Sequence, residues 1–154
     1  MLLIMNHQET EKYLFSDNVK TIAVDFDATL TIIQRDENGR YTNRIDSPPN
    51  LIMVDLVKRL ITKGKTIYIV TYRKTEYVPE IEIFCNVHNI KCKEIINTSG
   101  ESKIPALQLI KADCLIDDDI STCLGLFMTG ITPVLVMDAY NTNNSSSAFI
   151  QYKL

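Results

Sequence analysis

The amino-acid sequence predicts an α/β fold, with a doubly wound parallel sheet of about five strands between two layers of helices. From Lys20 onward, short apolar runs alternate with longer amphipathic segments, which is the pattern of strands joined by crossover helices. The chain has 154 residues, of which 45% are hydrophobic and 23% charged, and these values are typical of one globular domain. Polar residues directly follow several of the apolar runs, where ligands bind in sheets of this class.

A series of apolar runs predicts the strands. The first run, residues 21–26, is β-branched and apolar almost throughout, as expected of a strand that is covered on both faces. Five runs of this kind are enough for a doubly wound sheet. The other predicted strands are residues 66–71, 94–96, 113–116 and 132–136.

Amphipathic segments between the apolar runs predict the helices. The helix that follows Asn50 has an apolar stripe and ends near Gly64, a residue type common at C-terminal caps. The next helix, residues 76–88, tolerates Pro79 because the proline falls in its first turn. Further helices are predicted for residues 105–110 and 121–128, with a short one at residues 8–15.

The chain is predicted to contain one domain with short additions at both ends. We expect an N-terminal extension over residues 1–19 and the domain itself over residues 20–140. A C-terminal tail is expected over residues 141–154, because its first half is rich in Asn and Ser and has a loop-like composition.

A small hairpin insertion is predicted after the first strand. An Asn-Gly pair at residues 38–39 is a strong turn signal, and short β-prone segments flank it within residues 31–42. The length left between the predicted elements gives no room for a large cap domain.

Composition excludes several classes of protein. The net charge of −3 and the pI near 5.4 give no overall basic field of the kind that drives non-specific binding to nucleic acid. The apolar residues 1–5 lack a basic leader and are too short to span a bilayer, so we expect a cytoplasmic protein with no membrane partner. The cysteines form no C-x-x-C pair and no zinc-ligand spacing, which predicts reduced thiols; the alternative is a disulfide in a secreted protein.

Candidate functional residues lie just past the ends of the predicted strands. Asp25 and Asp27 end the first strand, and Thr71 ends the second. Lys103 begins the helix after the third strand, and an acidic run at residues 117–119 ends the fourth. Because ligands bind at the carboxyl ends of parallel strands, we expect these side chains to lie together. An unpaired charge is costly at the end of a buried strand, which makes Asp25 the strongest candidate.

Four short motifs occur in the order Asp-x-Asp-x-Thr, a strand-ending Thr, a Lys and an acidic pair, over residues 20–136. This order resembles that of the haloacid dehalogenase (HAD) superfamily, and in particular its small phosphatases without a large cap. The resemblance implies a Rossmann-like, HAD-like fold, a Mg²⁺ cofactor and the hydrolysis of phosphoric monoesters. The residues that carry it are Asp25-Phe26-Asp27-Ala28-Thr29, Thr71, Lys103 and Asp117-Asp118.

The resemblance also implies a role for each motif. Asp25 would attack phosphorus to form an aspartyl-phosphate, and Asp27 would protonate the leaving oxygen and then deprotonate the hydrolytic water. Thr71, Lys103 and the backbone at Ala28 would hold the phosphate oxygens, although Ala28 stands where the superfamily most often has Gly. A carboxylate can approach an anionic ester only when a cation neutralises both groups, which gives Mg²⁺ its function.

The implied metal ligands are the Asp25 and Asp118 carboxylates and the Asp27 backbone carbonyl, an oxygen set of the kind that Mg²⁺ prefers. Asp117 would orient a metal-bound water, but the motif also allows Asp117 and Asp118 to exchange these roles. Asp119 is expected to cap the following helix.

Each motif also has a purely structural interpretation, as a turn, a strand end, a solvated lysine or a helix cap. A receiver domain of a two-component system gathers similar residues over magnesium, but their order along the chain differs. The P-loop pattern G-x-x-x-x-G-K-[ST] is absent. The remaining alternative is a regulatory protein that keeps the fold and binds phosphate and Mg²⁺ without turnover; the presence of Asp27 favours hydrolysis.

Without a large cap, the predicted site is open. An open site favours a bulky phosphate, such as a nucleotide or a nucleic-acid end, or a homo-oligomer whose neighbouring subunit covers the site. Basic and aromatic residues nearby are candidates to contact such a substrate, and the alternative is that they are solvated or cover the core. These residues are Arg35, Arg40, Arg44, Arg73, Lys74, Tyr41, Tyr72 and Tyr77.

Overall fold

Seven strands form one sheet in the computed structural model, which describes residues 2–3, 7–32, 37–38, 47–136 and 149–152. A 3₁₀ turn, Thr75–Tyr77, precedes the third helix. The elements along the chain are β1 (Leu2–Leu3), α1 (His7–Leu14), β2 (Thr21–Val24), α2 (Leu51–Thr62), β3 (Thr66–Thr71), α3 (Val78–His88), β4 (Glu94–Asn97), α4 (Ile104–Leu109), β5 (Cys114–Asp117), α5 (Ile120–Gly125), β6 (Thr132–Val136) and β7 (Phe149–Tyr152).

Strand β2 lies inside the sheet, whose order is β1-β7-β6-β5-β2-β3-β4. The strands from β6 to β4 are mutually parallel, whereas β7 and β1 are antiparallel to their neighbours. The chain runs from β2 outward to β3 and β4, and then crosses to β5 on the other side of β2. The carboxyl end of β2 is therefore the switch point of the sheet, where adjacent connections leave in opposite directions and open a crevice.

The predicted α/β fold is confirmed, since each of the five predicted strands overlaps a parallel strand. The antiparallel strands β1 and β7 were not predicted. Strand β1 has only 2 residues, and β7 follows a polar stretch whose composition indicates a loop, so neither carries a clear local signal. An antiparallel edge strand on a parallel sheet is a common arrangement. Residues 33–36 and 39–46, which contain most of the predicted hairpin, lie outside the described residues.

The helix termini follow from local sequence. The Asn50 side chain accepts a hydrogen bond from the Met53 amide at 3.3 Å and so caps the start of α2. Gly64, with a φ of +95°, follows the end of α2, and this left-handed conformation is one that glycine adopts without strain. Helix α5 ends at Gly125, before the predicted end at residue 128, because the Leu126 and Phe127 amides turn to the shorter i→i−3 bonding pattern.

Two hydrophobic clusters cover the two faces of the sheet. Ile22 and Val24 of β2 pack in one cluster together with Leu56 of α2. Ala23 packs in the other cluster with Leu107 of α4. This alternation follows the two-residue period of a strand, and it gives the three layers that the sequence predicts.

All four cysteines are free thiols, of which Cys92 is half-buried and the others are buried. Burial raises the pKa of the Cys114 and Cys123 thiols, which keeps them protonated and unreactive. Within the described residues, no helix combines the length and the apolar character that crossing a bilayer requires.

Asp113 ties the starts of three central strands together. One of its side-chain oxygens, Oδ2, accepts hydrogen bonds from the Lys20 amide at 2.8 Å and the Thr21 amide at 2.9 Å, where β2 begins. Its backbone carbonyl accepts from the Thr132 amide at 3.0 Å, where β6 begins. Asp113 itself directly precedes β5, so its contacts set the alignment of the strands that lead to the predicted site.

We predict that Asp113→Ala lowers the free energy of unfolding by about 2 kcal/mol, because two backbone donors lose a charged acceptor. Asp113→Asn keeps one side-chain acceptor, so we expect it to lose less. Asp17→Ala is the matched control, since Asp17 is exposed and its removal is expected to change stability by no more than about 0.5 kcal/mol. Urea denaturation measures all three variants, and equal losses for Asp113→Ala and Asp17→Ala would contradict the assignment.

Candidate active site

Asp25 lies directly after β2, at the switch point of the sheet. Its amide donates to the Ile116 carbonyl at 2.9 Å, which extends the pairing of β2 with β5 by one residue. The residue is only 6% exposed, and one of its carboxylate oxygens, Oδ1, accepts a hydrogen bond from Lys103 Nζ at 2.7 Å. The sequence therefore places a buried carboxylate against a buried ammonium at this point.

Lys103 links two of the acidic motifs. Its ammonium lies 2.7 Å from Asp25 Oδ1 and 2.7 Å from Asp117 Oδ2, and its side chain is fully buried. Burial lowers the pKa of Lys103, but the two carboxylates outweigh burial and raise the pKa above the usual value of lysine. The purely structural interpretation of Lys103, as a solvated surface residue, is therefore wrong. The ammonium also lies 4.7 Å from the centre of the Tyr72 ring, an arrangement that stabilises a cation.

Three carboxylates form a compact cluster around this lysine. One oxygen from each of Asp25, Asp117 and Asp118 lies within 4.8 Å of the other two. The Thr29 hydroxyl lies between them, 3.4 Å from Asp25 Oδ2 and 3.4 Å from Asp118 Oδ1. The sequence identified Thr29 as the threonine of the first motif without giving it a role, and the structure shows that its hydroxyl bridges two of the acidic groups.

The cluster is short of positive charge. Burial, and then the negative charge of Asp117, raise the pKa of Asp25 well above its usual range. Burial likewise raises the pKa of Asp118 to about 6. Three carboxylates beside one ammonium leave an excess of two negative charges when all are ionised, which one divalent cation would balance. The oxygen-only donor set is the one that Mg²⁺ prefers, so the residues present fit the predicted cofactor.

The two residues of the acidic pair are held differently. Both side-chain oxygens of Asp117 accept protein hydrogen bonds, Oδ2 from Lys103 at 2.7 Å and Oδ1 from the Asp119 amide at 3.0 Å. Asp118 is half-buried and its Oδ1 contacts Thr29. Asp119 caps α5, since its Oδ1 accepts from the Ser121 amide at 3.1 Å, as predicted from the sequence.

Asp27 is held by an arginine at the end of the neighbouring strand. Arg73 Nε lies 2.8 Å from Asp27 Oδ2 and Arg73 Nη2 lies 2.8 Å from Asp27 Oδ1, which is a bidentate ion pair. The third guanidinium nitrogen, Nη1, lies 2.6 Å from Glu80 Oε2. The Arg73 side chain is only 7% exposed, so the expectation of a solvated surface charge is wrong for this residue.

The pairing of β2 with β3 explains why Arg73 meets Asp27. Val24 of β2 pairs with Ile69 of β3, so residues that follow these strands by a similar number of positions emerge at the same edge. Asp27 and Arg73 meet this condition and carry opposite charges. Of the other basic and aromatic candidates, Tyr72 contacts Lys103 and Thr122, whereas Arg35, Arg40, Tyr41 and Arg44 lie outside the described residues.

Thr71 is the last residue of β3, and Ala28 lies in the turn that follows β2. Thr71 is 1% exposed, and its hydroxyl accepts a hydrogen bond from the Arg73 amide at 3.2 Å. Ala28 has a φ of +60°, the left-handed region that glycine favours, and its amide donates to Thr31 Oγ1 at 3.2 Å. The turn therefore keeps the backbone shape associated with glycine at this motif position, at a cost of about 1 kcal/mol for the extra methyl group.

Comparison with known proteins gives similarity at the level of the fold. No protein-family model matches the sequence, and no curated protein matches it. A chain of the Pnkp1/Rnl/Hen1 RNA repair complex has a TM-score of 0.60 at 16% identity, over 79% of this chain and 43% of that chain. The eukaryotic junction-resolving enzyme GEN-1 has a TM-score of 0.53 at 13% identity, over 99% of this chain and 36% of that chain.

A third similarity is to 3-deoxy-D-manno-octulosonate 8-phosphate phosphatase from Moraxella catarrhalis, with a TM-score of 0.49 at 18% identity over 80% of this chain and 71% of that chain. The chain spans less than half the length of the first two structures. The predicted α/β fold with a parallel sheet is confirmed by the strand order, and the Pnkp1/Rnl/Hen1 similarity is a similarity of this fold. Similar folds carry different activities, so the function is argued from the site.

We predict that Mg²⁺ stabilises the protein through this cluster. At a concentration of 100 times its dissociation constant, Mg²⁺ should raise the free energy of unfolding by about 2.7 kcal/mol. Asp118→Asn should abolish this increase and, in chelator, leave the protein at least as stable as the wild type, because the substitution removes one of three crowded negative charges. Thermal unfolding with Mg²⁺ and with chelator measures both effects. Asp17→Asn is the matched control, and a Mg²⁺ response that survives in Asp118→Asn would exclude Asp118 as a ligand.

Proposed function

We propose that this protein is a Mg²⁺-dependent phosphatase that hydrolyses a phosphate monoester through an aspartyl-phosphate intermediate on Asp25. The observation that carries the proposal is the buried Asp25 carboxylate, which shares the switch point of the sheet with two further carboxylates and a buried ammonium. A cluster of this charge is costly to maintain as a purely structural feature, because removing charges from water is unfavourable. Perturbed ionisable groups at a crevice are typical of catalytic sites.

The proposed residues that would hold the cation are those of the first and fourth motifs. Asp25 and Asp118 are the proposed carboxylate ligands, and the Asp27 backbone carbonyl is the third. Asp117 is the proposed orienting residue, because Lys103 and the Asp119 amide already occupy both of its oxygens. When bound, the cation neutralises the nucleophile and the phosphate oxygens and so allows the two anions to approach each other.

The proposed reaction has two steps at phosphorus. In the first, an Asp25 carboxylate oxygen bonds to phosphorus, the bond to the leaving oxygen breaks, and Asp27 donates a proton to that oxygen. In the second, Asp27 takes a proton from water as the water oxygen bonds to phosphorus, and the bond to Asp25 breaks to release phosphate. Thr71, Lys103 and the Ala28 backbone are the proposed contacts to the phosphate oxygens. The buried position of Lys103 strengthens its attraction for an anion.

Arg73 has a proposed positioning role through Asp27. The bidentate ion pair fixes the plane of the Asp27 carboxylate, and Glu80 fixes the guanidinium in turn. The paired carboxylate carries no proton, so Asp27 can act as the acid only after one contact with Arg73 opens and that oxygen takes up a proton; the remaining contact keeps the group within hydrogen-bond reach of the leaving oxygen.

The proposed substrates are bulky phosphate esters, such as a nucleotide or a nucleic-acid end. This follows from the sequence, in which the length left between the predicted elements gives no room for a large cap domain, so we expect an open site. A homo-oligomer whose neighbouring subunit covers the site is a further proposal, to be tested by measuring the mass of the protein in solution.

We predict that Asp25→Asn abolishes phosphate release, because an amide lacks the negative charge of the nucleophile. The measurement is phosphate release from nucleoside monophosphates, 3′- and 5′-phosphorylated DNA ends, phosphopeptides and small esters, with Mg²⁺ and with chelator. Asp17→Asn, a substitution at an exposed residue, is the control and should release phosphate at the wild-type rate. Activity of Asp25→Asn equal to that of the wild type would remove Asp25 from its role. A wild type that binds Mg²⁺ and phosphate but hydrolyses no ester would favour a regulatory binding protein.

We predict that Arg73→Ala lowers kcat about 100-fold by releasing Asp27 from its position. The loss should be greater for phenyl phosphate than for p-nitrophenyl phosphate, because the better leaving group depends less on proton donation. Arg73→Lys keeps the charge without the bidentate geometry and should recover part of the rate. Lys58→Ala is the matched control, since Lys58 is an exposed basic residue of α2 that is not a candidate substrate contact. Equal losses of Arg73→Ala on the two esters would show that Arg73 does not act through Asp27.

A further inference from the structure

A cavity of about 210 Å³ lies beside the Asp27–Arg73 ion pair, and the chemistry proposed above does not use it. One wall comes from the segment after β2, with Phe26 and Thr31, and the opposite wall is helix α3. Arg73 lines the cavity and also holds Asp27, so the cavity and the proposed acid share one side chain.

Three of the nine residues that line the cavity are aromatic, namely Phe26, Phe84 and His88. The Phe26 and Phe84 rings meet edge to face at 5.0 Å, and the Phe84 and His88 rings lie 4.5 Å apart at an angle of 48°. The Arg73 guanidinium lies over the Phe26 ring at 5.1 Å, which continues the same surface toward Asp27. Such a surface offers ring faces and edges to a flat aromatic group.

The rim of the cavity exposes apolar side chains to water. Ile83 is 62% exposed and Val87 is 72% exposed, and both lie on the face of α3 that lines the cavity. Four further lining residues are polar or charged: Thr31, Ser47, Arg73 and Glu80. A pocket that combines apolar surface with polar groups able to orient a ligand is the usual form of a small-molecule site.

The position of the cavity relative to Asp27 indicates which part of a substrate would occupy it. Asp27 is the proposed donor to the leaving oxygen, so the leaving group must extend on the Asp27 side of the phosphate. Arg73 joins that side to the cavity. The volume is below the roughly 300 Å³ at which pockets begin to enclose a whole drug-sized ligand, so the cavity fits one ring system of a larger substrate.

We propose that this cavity is the leaving-group subsite and that it takes the nucleobase of a nucleoside phosphate. The ring stacks against the Phe84 and His88 side, and its amino or ring N–H groups donate to Glu80 or Thr31. This inference rests on the proposed phosphatase function, and it narrows the substrate class to esters whose leaving group carries a base.

Two measurements test the subsite, and the first does not depend on hydrolysis. Unphosphorylated adenosine and cytidine are titrated into the wild-type protein, and backbone amide NMR shifts are followed. We expect shifts concentrated at α3 and around Phe26 with either nucleoside and none with ribose or glycerol. If neither nucleoside shifts the amide signals of α3 or of the residues around Phe26, the proposal is overturned.

The second measurement is kcat/KM for nucleoside monophosphates and for glycerol phosphate. The double variant Ile83→Ala/Val87→Ala removes exposed side chains, so we expect it to fold normally. Its kcat/KM should fall about tenfold for the nucleotides and stay within about twofold of the wild type for glycerol phosphate. Phe84→Leu should show the same selectivity. Leu109→Ala, a matched control at an 84% exposed residue of α4, should change neither value.

The outcomes separate the two proposals. If nucleosides bind at α3 but no ester is hydrolysed, the phosphatase function fails and the subsite remains. If esters are hydrolysed but the double variant affects nucleotides and glycerol phosphate equally, the function remains and the subsite is overturned. A phosphotyrosine peptide hydrolysed with higher kcat/KM than every nucleotide would also overturn the assignment of the cavity to a nucleobase.

Discussion

The contact of the Lys103 ammonium with Asp25 and Asp117 is the interaction on which the site depends. Lys103 is fully buried, and a buried charge is tolerated only when it is paired and hydrogen-bonded. The lysine belongs to the start of α4, Asp25 directly follows β2, and Asp117 is the last residue of β5. One ammonium therefore ties three separate elements together at the switch point. The negative charge that remains uncompensated is what makes the same cluster suitable for a divalent cation and an anionic substrate.

A second chain of contacts runs from the same edge of the sheet to α3. Asp27 is fixed by Arg73, and Arg73 is fixed by Glu80 and lies over Phe26. The proposed acid and the proposed leaving-group cavity are thus positioned by one guanidinium. Arginine suits this role because its planar group makes two parallel bonds to a carboxylate and can also stack on a ring. Lysine, with a single charged atom, cannot do both.

The parallel strands and the positions of the acidic motifs could be predicted because both depend on local patterns. Strands β3 and β6 have the predicted bounds, since their apolar runs are bordered by polar or turn-forming residues. The antiparallel strand β7 could not be predicted, because a short edge strand is stabilised by its partner in the sheet and not by its own sequence. Arg73 was named as a candidate contact, but its burial and its partner depend on the pairing of β2 with β3.

The sequence by itself determined the fold class and the identity of the charged residues, because the alternation of apolar runs and the residues that end them are readable along the chain. The tertiary structure alone decided which charges meet. Lys103 joins Asp25 across 78 positions of sequence, and the Phe84 and His88 rings face Phe26 only after α3 packs on the sheet. Distances between residues far apart in the chain are set by packing and strand order, and no local pattern encodes them.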